Sequence, residues 1–206
     1  MNVLEQINAE MAEAVARAQR SLVQISNGRH GQGAGVLWRP DGLIVTNAHV
    51  VRRQALQVTL ADGCTLPARV LASDPGSDLA ALCVAAHGLH AIEPRRAWPL
   101  RPGQWVLALG HPWGVTGAAT AGIVIGLGKP PEMPRFPGEL LQVSLHLRPG
   151  HSGGPLVDEH GHLVGLNMMM AGPDVGLAIP LPVVKNFLQK TLRVDGIEFA
   201  HDRGRP

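Results

Sequence analysis

From Ser21 to Pro180 the chain alternates between short runs of Val, Ile and Leu and clusters of turn residues, and this pattern narrows the fold more than any other feature. One set of runs is "SLVQIS", "GAGVLW", "LIVTN", "ALQVTL" and "LPARVLA", with "RPDG" at 39–42 a turn signal between two of them. A second set is "QWVLALG", "AGIVIGL", "LLQVSLH", "HLVGLNM" and "GLAIP". The Pro-rich residues 94–102 separate the two sets, and "VDEHGHLV" at 157–164 reads as strand, turn and strand. Twenty-five glycines and 17 prolines, many at turn-like positions, suit an all-β chain of many short strands. Helical spacing marks both ends. Leu4, Ile7, Met11, Ala14, Val15 and Ala18 share one face of residues 2–20, and "LPVVKNFLQKTL" at 181–192 reads as a closing helix before a frayed "HDRGRP".

Length and charge exclude several classes. At 206 residues and 45 % apolar content the chain can bury a sizeable core as one large domain or two small packed ones, and 17 % charged residues argue against disorder. Eighteen Lys and Arg against sixteen Asp and Glu leave a net charge of +2, too little to draw nucleic acid or an anionic membrane. No stretch is long and apolar enough to span a bilayer, and Arg17 and Arg20 are too few for a membrane-surface helix. The amino terminus carries Glu5, Glu10 and Glu13 and lacks an uninterrupted apolar segment, so it is not a secretory signal. The expected location is cytoplasmic, or periplasmic or secreted if a leader precedes residue 1.

No cofactor or metal is expected. "GQGAGV" at 31–36 resembles a nucleotide-binding glycine loop, but strand, turn and strand follow it where a helix would be required. His160 and His162 sit at a hairpin tip without a third ligand nearby. Cys83, in the apolar run "LAALCV", reads as a buried core residue, and with Cys64 it suggests no disulfide framework.

Chemistry concentrates in "RPGHSGGPLVD" at 148–158. A serine in an ordinary turn needs no glycine cradle. A serine that attacks a carbonyl does, because the surrounding backbone must also present free N–H groups to the developing oxyanion. Serine is a weak nucleophile at neutral pH and needs a base, which another group must hold. Among ten histidines, His49 in "IVTNAHVV" stands out, directly after an apolar strand where a short helical turn would begin. "SDPGSDLAALCV" offers two carboxylates. Asp78 immediately precedes an apolar strand and can sit at the lip of a core, whereas Asp74 precedes a proline and reads as a turn residue.

"TNAHVV", "DPGSDLAAL" and "GHSGGPLV", in this order, resemble the three triad segments of trypsin-like serine proteases, and most closely those of the HtrA/Deg branch. "GHPWG" at 110–114, "GIVIGLG" at 122–128, "HLVGLN" at 162–167 and "GLAIP" at 176–180 extend the resemblance from about Ser21 to Leu188. It implies a chymotrypsin-like fold of two six-stranded antiparallel β-barrels. Residues 1–20 would then be an amino-terminal helix, 21–93 the first barrel, 94–102 a linker, 103–180 the second barrel, 181–192 the closing helix and 193–206 a tail.

The resemblance also implies roles. Ser152 would be the nucleophile, His49 the general base and acid, and Asp78 the group that orients His49. The N–H groups of Gly150 and Ser152 would form the oxyanion hole, with His151 between them. Digestive relatives usually carry Asp at the place of His151, where it pairs with a newly cut amino terminus; a histidine cannot, so activation by such cleavage is not expected. The HtrA pattern commonly has Asn there. By position, Leu147, Met170, Ala171 and Leu177 would line the specificity pocket. No carboxylate stands in this set, so an aliphatic residue before the scissile bond is expected, whereas His146 would favour an acidic residue if it pointed inward. Met168, Met169 and Met170 read as adaptable packing.

The implied activity is endopeptidase cleavage of unfolded or exposed polypeptide segments through an acyl-enzyme, of the protein quality-control type. The rival is a chaperone-like or binding module that keeps the fold with a disordered, inactive site. HtrA proteins usually carry a PDZ domain after the closing helix, and only about a dozen residues follow it here, too few for any domain. A homo-oligomer is implied as well. Many relatives form trimers through aromatic residues near the amino terminus, and none precedes Trp38 in this chain.

Overall fold

The computed structural model describes residues 2–26, 32–51, 55–131, 133–134 and 136–194. The frayed tail expected after the closing helix lies outside them. Strands β1 (Leu22–Ser26), β2 (Gln32–Leu37), β3 (Leu43–Thr46), β4 (Leu56–Thr59), β5 (Thr65–Asp74) and β6 (Leu79–Val84) close into one antiparallel barrel in the order β1-β2-β3-β6-β5-β4. Strands β7 (Trp105–Gly110), β8 (Ala118–Gly128), β9 (Leu140–Ser144), β10 (Pro155–Val157), β11 (Leu163–Met170) and β12 (Gly176–Pro180) close into a second in the order β7-β8-β9-β12-β11-β10. Both barrels therefore repeat one strand order, and closure removes exposed sheet edges.

Three apolar clusters hold this arrangement. One fills the first barrel around Val23, Ile44, Val58 and Leu82. Another fills the second around Val106, Val143, Leu156 and Ala178. The third joins the barrels, bringing Ala34, Val45 and Leu79 of the first against Leu109, Leu166 and Ile179 of the second. Each barrel encloses side chains on its inner face, and the third cluster makes the pair one packed body rather than two tethered ones.

The helices seal this joint. Helix α1 (Val3–Gln19) starts with a capping box in which the Asn2 side chain accepts from Glu5 N–H and the Glu5 carboxylate accepts from Asn2 N–H, both at 2.9 Å. Its apolar face is only half used. Ala14 and Ala18 are buried and Met11 and Val15 half-buried, but Leu4 and Ile7 are 77 % and 47 % exposed. The helix meets the barrels through its last turns, where Gln19 also donates to the Gly117 carbonyl at 2.6 Å. Helix α2 (Leu181–Val194) buries Leu181, Val184 and Leu188 in the joining cluster. Cys83 is half-buried rather than fully buried, and both cysteines are free. Asp158, 1 % exposed, gathers the inter-barrel segment onto the β10–β11 hairpin by accepting from Arg95 Nη1 and from the His160 and His162 main chain at 2.9–3.0 Å. Among the described residues no cluster of His, Cys, Asp or Glu is suited to hold a metal ion, and no helix is long and apolar enough to cross a membrane.

The two barrels meet backbone to wall at Gly153. Its φ is +81°, and a Cβ there would collide with Thr46 Oγ1 on β3 and with the Ala34 carbonyl on β2. Beside it, Ala34 N–H donates to the Ser152 carbonyl at 2.9 Å. Gly153→Ala is expected to cost at least about 2 kcal/mol, from the left-handed backbone and the overpacking together. Urea denaturation with matched m-values measures this, and an unchanged midpoint would show that the barrels are not held at this contact.

Candidate active site

Strand β3 ends in a buried Thr46-Asn47 pair, and the chain then makes a 3-10 turn over Ala48–Val51 that lifts His49 to the surface of the first barrel. Asp78 approaches from the start of β6. Its carbonyl accepts from Ala48 N–H and Asn47 Nδ2, both at 3.1 Å, which ties the two segments together. Its carboxylate accepts from His49 N–H through Oδ1 at 3.0 Å and meets His49 Nδ1 through Oδ2 at 2.8 Å. A carboxylate offers only acceptors, so the His49 ring proton belongs on Nδ1, and Nε2 is left with a lone pair. Asp78 has φ +51°, a left-handed conformation that Asp tolerates better than most residues and that recurs where backbone is held for function.

Asp74 lies at the end of β5 and does other work. Its Oδ1 accepts from Gly76 N–H at 2.9 Å and its Oδ2 from the Ser77 hydroxyl at 2.6 Å. The Ser77 hydrogen bond, with help from the Gly76 and Ser77 main chain, holds its carboxyl below the usual aspartate value against the opposing effect of burial. It is a turn residue, and no hydrogen bond or ion pair links it to His49 among the described residues.

The second barrel supplies Ser152. Arg148-Pro149-Gly150-His151 forms a tight turn closed by His151 N–H to the Arg148 carbonyl at 2.9 Å, with Gly150 at φ +106°. A type II turn requires positive φ at its third residue, which glycine supplies, and commonly takes proline second. The Gly150 carbonyl accepts from His111 N–H at 2.9 Å. Among the described residues neither the Gly150 nor the Ser152 main-chain N–H has an acceptor. The Ser152 hydroxyl donates to the Met168 carbonyl at 3.0 Å and makes no hydrogen bond to His49. That carbonyl is available because the β11–β12 pairing shifts register between Asn167 and Met169, leaving Met168 without a partner across the ladder.

His49, Asp78 and Ser152 open onto one cleft of about 890 Å³. Leu147 and Met170 line it, joined by a Leu147 N–H to Met170 Sδ contact of 3.1 Å. Ala171 and Leu177 do not line it. Leu177 is fully buried among the side chains of the joining cluster, because β12 is flanked by strands on both edges and by helix and barrel on its faces. Ala171 packs beside the same core, its N–H bonded to the Val175 carbonyl at 2.7 Å. His146 is exposed, 3.7 Å from Asp174, and does not face the cleft. The wall that position alone did not reveal comes from Met133 and Phe136, in the segment between β8 and β9, with Met168, Met169, Arg148 and Pro149. The signal for the first two was in "KPPEMPRFPGEL": large apolar side chains in a Pro-rich loop need something to cover. Asp78 is the only carboxylate on the cleft wall among the described residues, and it is already bonded to His49.

The profile of the trypsin-like peptidase domain matches residues 33–166. The mitochondrial serine protease HTRA2 of Drosophila pseudoobscura pseudoobscura is 35 % identical over 84 % of this chain and 42 % of its own. That of Drosophila erecta is 33 % identical over 95 % of this chain and 51 % of its own. The structure of the HtrA-type protease AlgW with a tripeptide superposes with a TM-score of 0.83 at 30 % identity, covering 90 % of this chain and 64 % of that one. AlgW with a decapeptide gives 0.82 at 27 %. This chain thus spans about half or less of the length of these curated relatives. From its paired six-stranded barrels, its matched profile and these relatives, the chain belongs to the trypsin-like peptidase family and is similar to HtrA-type serine proteases.

Proposed function

We propose that the chain is a serine endopeptidase that cleaves unfolded or exposed polypeptide segments through an acyl-enzyme on Ser152. The observation that carries this reading is the convergence of His49, already bonded to Asp78 at 2.8 Å, and Ser152 on a single cleft. An extended substrate lies in the cleft and the Ser152 hydroxyl leaves the Met168 carbonyl for His49. Oγ then attacks the scissile carbonyl carbon while Nε2 takes its proton. Asp78 stabilises the resulting imidazolium without itself being protonated. The unengaged Gly150 and Ser152 N–H groups receive the negative oxygen. Collapse breaks the C–N bond as His49 hands its proton to the leaving amine. Water, deprotonated by His49, then hydrolyses the ester and releases a carboxylic acid and the free serine.

The second reading is a chaperone-like or binding module with an idle site. It is favoured by one observation, the Ser152 hydroxyl resting on Met168 rather than on His49. Labelling separates the two. A fluorophosphonate is expected to phosphonylate Ser152 in the native protein, and an unlabelled, folded protein would support the idle site. Ser152→Ala is expected to remove peptide hydrolysis by about 10⁴-fold or more while leaving the melting temperature nearly unchanged. Asp78→Asn should lower kcat severely, since an amide favours the wrong imidazole tautomer. Asp74→Asn should do little to kcat, and the reverse ranking would contradict the assignment.

The cleft wall also sets substrate preference. Thioether and aliphatic surfaces from Met168, Met169, Met170 and Leu147 reward an apolar side chain and leave a basic one without a partner. Peptide libraries are expected to favour Val, Leu or Ala before the scissile bond over Lys or Arg by about 100-fold in kcat/KM. A preference for Arg or Lys would reject this pocket.

A further inference from the structure

The segment behind the oxyanion turn contains two buried histidines that the mechanism above does not use. His111 and His151 are 5 % and 2 % exposed. His151 lies inside the turn itself, and its ring closes the turn a second time. Nδ1 is 3.1 Å from Arg148 N and 3.2 Å from the Arg148 carbonyl oxygen. That carbonyl already accepts His151 N–H at 2.9 Å, whereas Arg148 N–H has no other acceptor among the described residues. The ring therefore presents its Nδ1 lone pair to Arg148 N–H and carries its proton on Nε2, which is buried without a partner among the described residues.

We propose that neutral His151 is the positioning residue of the oxyanion turn: by accepting the Arg148 main-chain N–H it holds the turn in which the Gly150 and Ser152 amides stay without acceptors, and protonating it releases the turn. This rests on the serine endopeptidase reading. Three further contacts show that the turn is clamped rather than merely allowed. His111 N–H donates to the Gly150 carbonyl at 2.9 Å. A Cβ on Gly150 would collide with the His111 carbonyl, so the two segments lie backbone against backbone. The Arg148 guanidinium sits 4.8 Å from the centre of the Trp113 ring, which anchors the first residue of the turn from outside.

A charged ring does not fit this setting. Protonation puts a hydrogen on Nδ1, so the ring gives up the Arg148 N–H that its lone pair now holds and is left with the Arg148 carbonyl at 3.2 Å. The titratable groups that act on the ring are basic: Arg148 on its own turn, and the His111 ring on the segment after β7. Among the described residues no carboxylate is one of them. Burial first, and then the Arg148 charge, hold His151 below the ordinary imidazole value, against the opposing pull of the Arg148 main-chain carbonyl, 3.2 Å from Nδ1, which favours the charged ring. Burial first, and then His151, hold His111 below it as well, again against a main-chain hydrogen bond. The sign follows. At neutral pH the ring is uncharged and the turn is held, and the charge arrives only below the pH at which an exposed histidine would take it up.

The test uses the shape of the acid limb. Nδ1 of histidine and Oδ1 of asparagine hang from Cγ at the same position, so His151→Asn keeps the acceptor and loses the titration. His151→Leu loses both. In the wild type, log kcat/KM for a peptide substrate is expected to fall in acid with a slope approaching two, one proton for His49 and one for His151. His151→Leu is expected to lose about 100-fold in kcat at all pH values with little change in KM, comparable to removing an oxyanion donor. His151→Asn is expected to recover most of that loss at neutral pH and to show an acid limb of slope one. A slope of two retained in His151→Asn would overturn the proposal, as would full kcat in a folded His151→Leu. If the leucine variant does not fold, the asparagine profile decides alone. Fluorophosphonate labelling of the wild type at neutral pH separates the two levels. Without it the endopeptidase reading falls, and this proposal with it. With it, identical acid limbs in wild type and His151→Asn refute the role of His151 only.

Discussion

The site depends on a backbone contact that leaves no room for a side chain. At Gly153 the loop carrying Ser152 presses against β2 and β3 so closely that a single methyl group would strike the Ala34 carbonyl and Thr46 Oγ1. The Ala34 N–H to Ser152 carbonyl hydrogen bond, 2.9 Å long, fixes the loop in register with the first barrel. His49 and Asp78 belong to that barrel, and Ser152 belongs to the other. The apolar cluster joins the two barrels, and this contact sets the loop carrying Ser152 in register with the His49 side. With it, the apolar cluster between the barrels becomes the rigid support of a cleft.

Around this contact the polar groups are distributed by what each lacks. Asp78 satisfies three donors from the His49 segment with its carbonyl and Oδ1, and one ring nitrogen with Oδ2. The unpaired residue in β11 frees the Met168 carbonyl, which holds the Ser152 hydroxyl at rest. The amides of Gly150 and Ser152 remain without acceptors among the described residues, which is costly in a resting protein and useful when an anion forms.

The barrels were legible because each strand carries its own signal: a Val, Ile or Leu run ending in a turn cluster, as in "LIVTN" before the His49 turn and "LAALCV" after Asp78. The separation of Asp74 from Asp78 was legible for a similar local reason, since a carboxylate before Pro-Gly serves its own turn. The cleft wall was harder to read. Met133 and Phe136 reach it from a loop whose path depends on the packed second barrel, and Leu177 is buried because its face of β12 packs into the cluster between the barrels. Neither fact is written in the neighbouring residues. The amino-terminal helix shows the same limit: its apolar stripe runs its full length, but only Ala14 and Ala18 find a buried place.

The most direct measurement of the central claim is the mass of a trapped intermediate. The protein would be mixed with an activated ester of a short Val- or Leu-terminated peptide and quenched in acid within the first turnover. Intact mass spectrometry and peptide mapping would then locate the acyl group. The prediction is one acyl group per chain on the Ser152 hydroxyl, lost on return to neutral pH as the ester hydrolyses. An acyl group on any other residue, or hydrolysis of the ester with no covalent species, would contradict it.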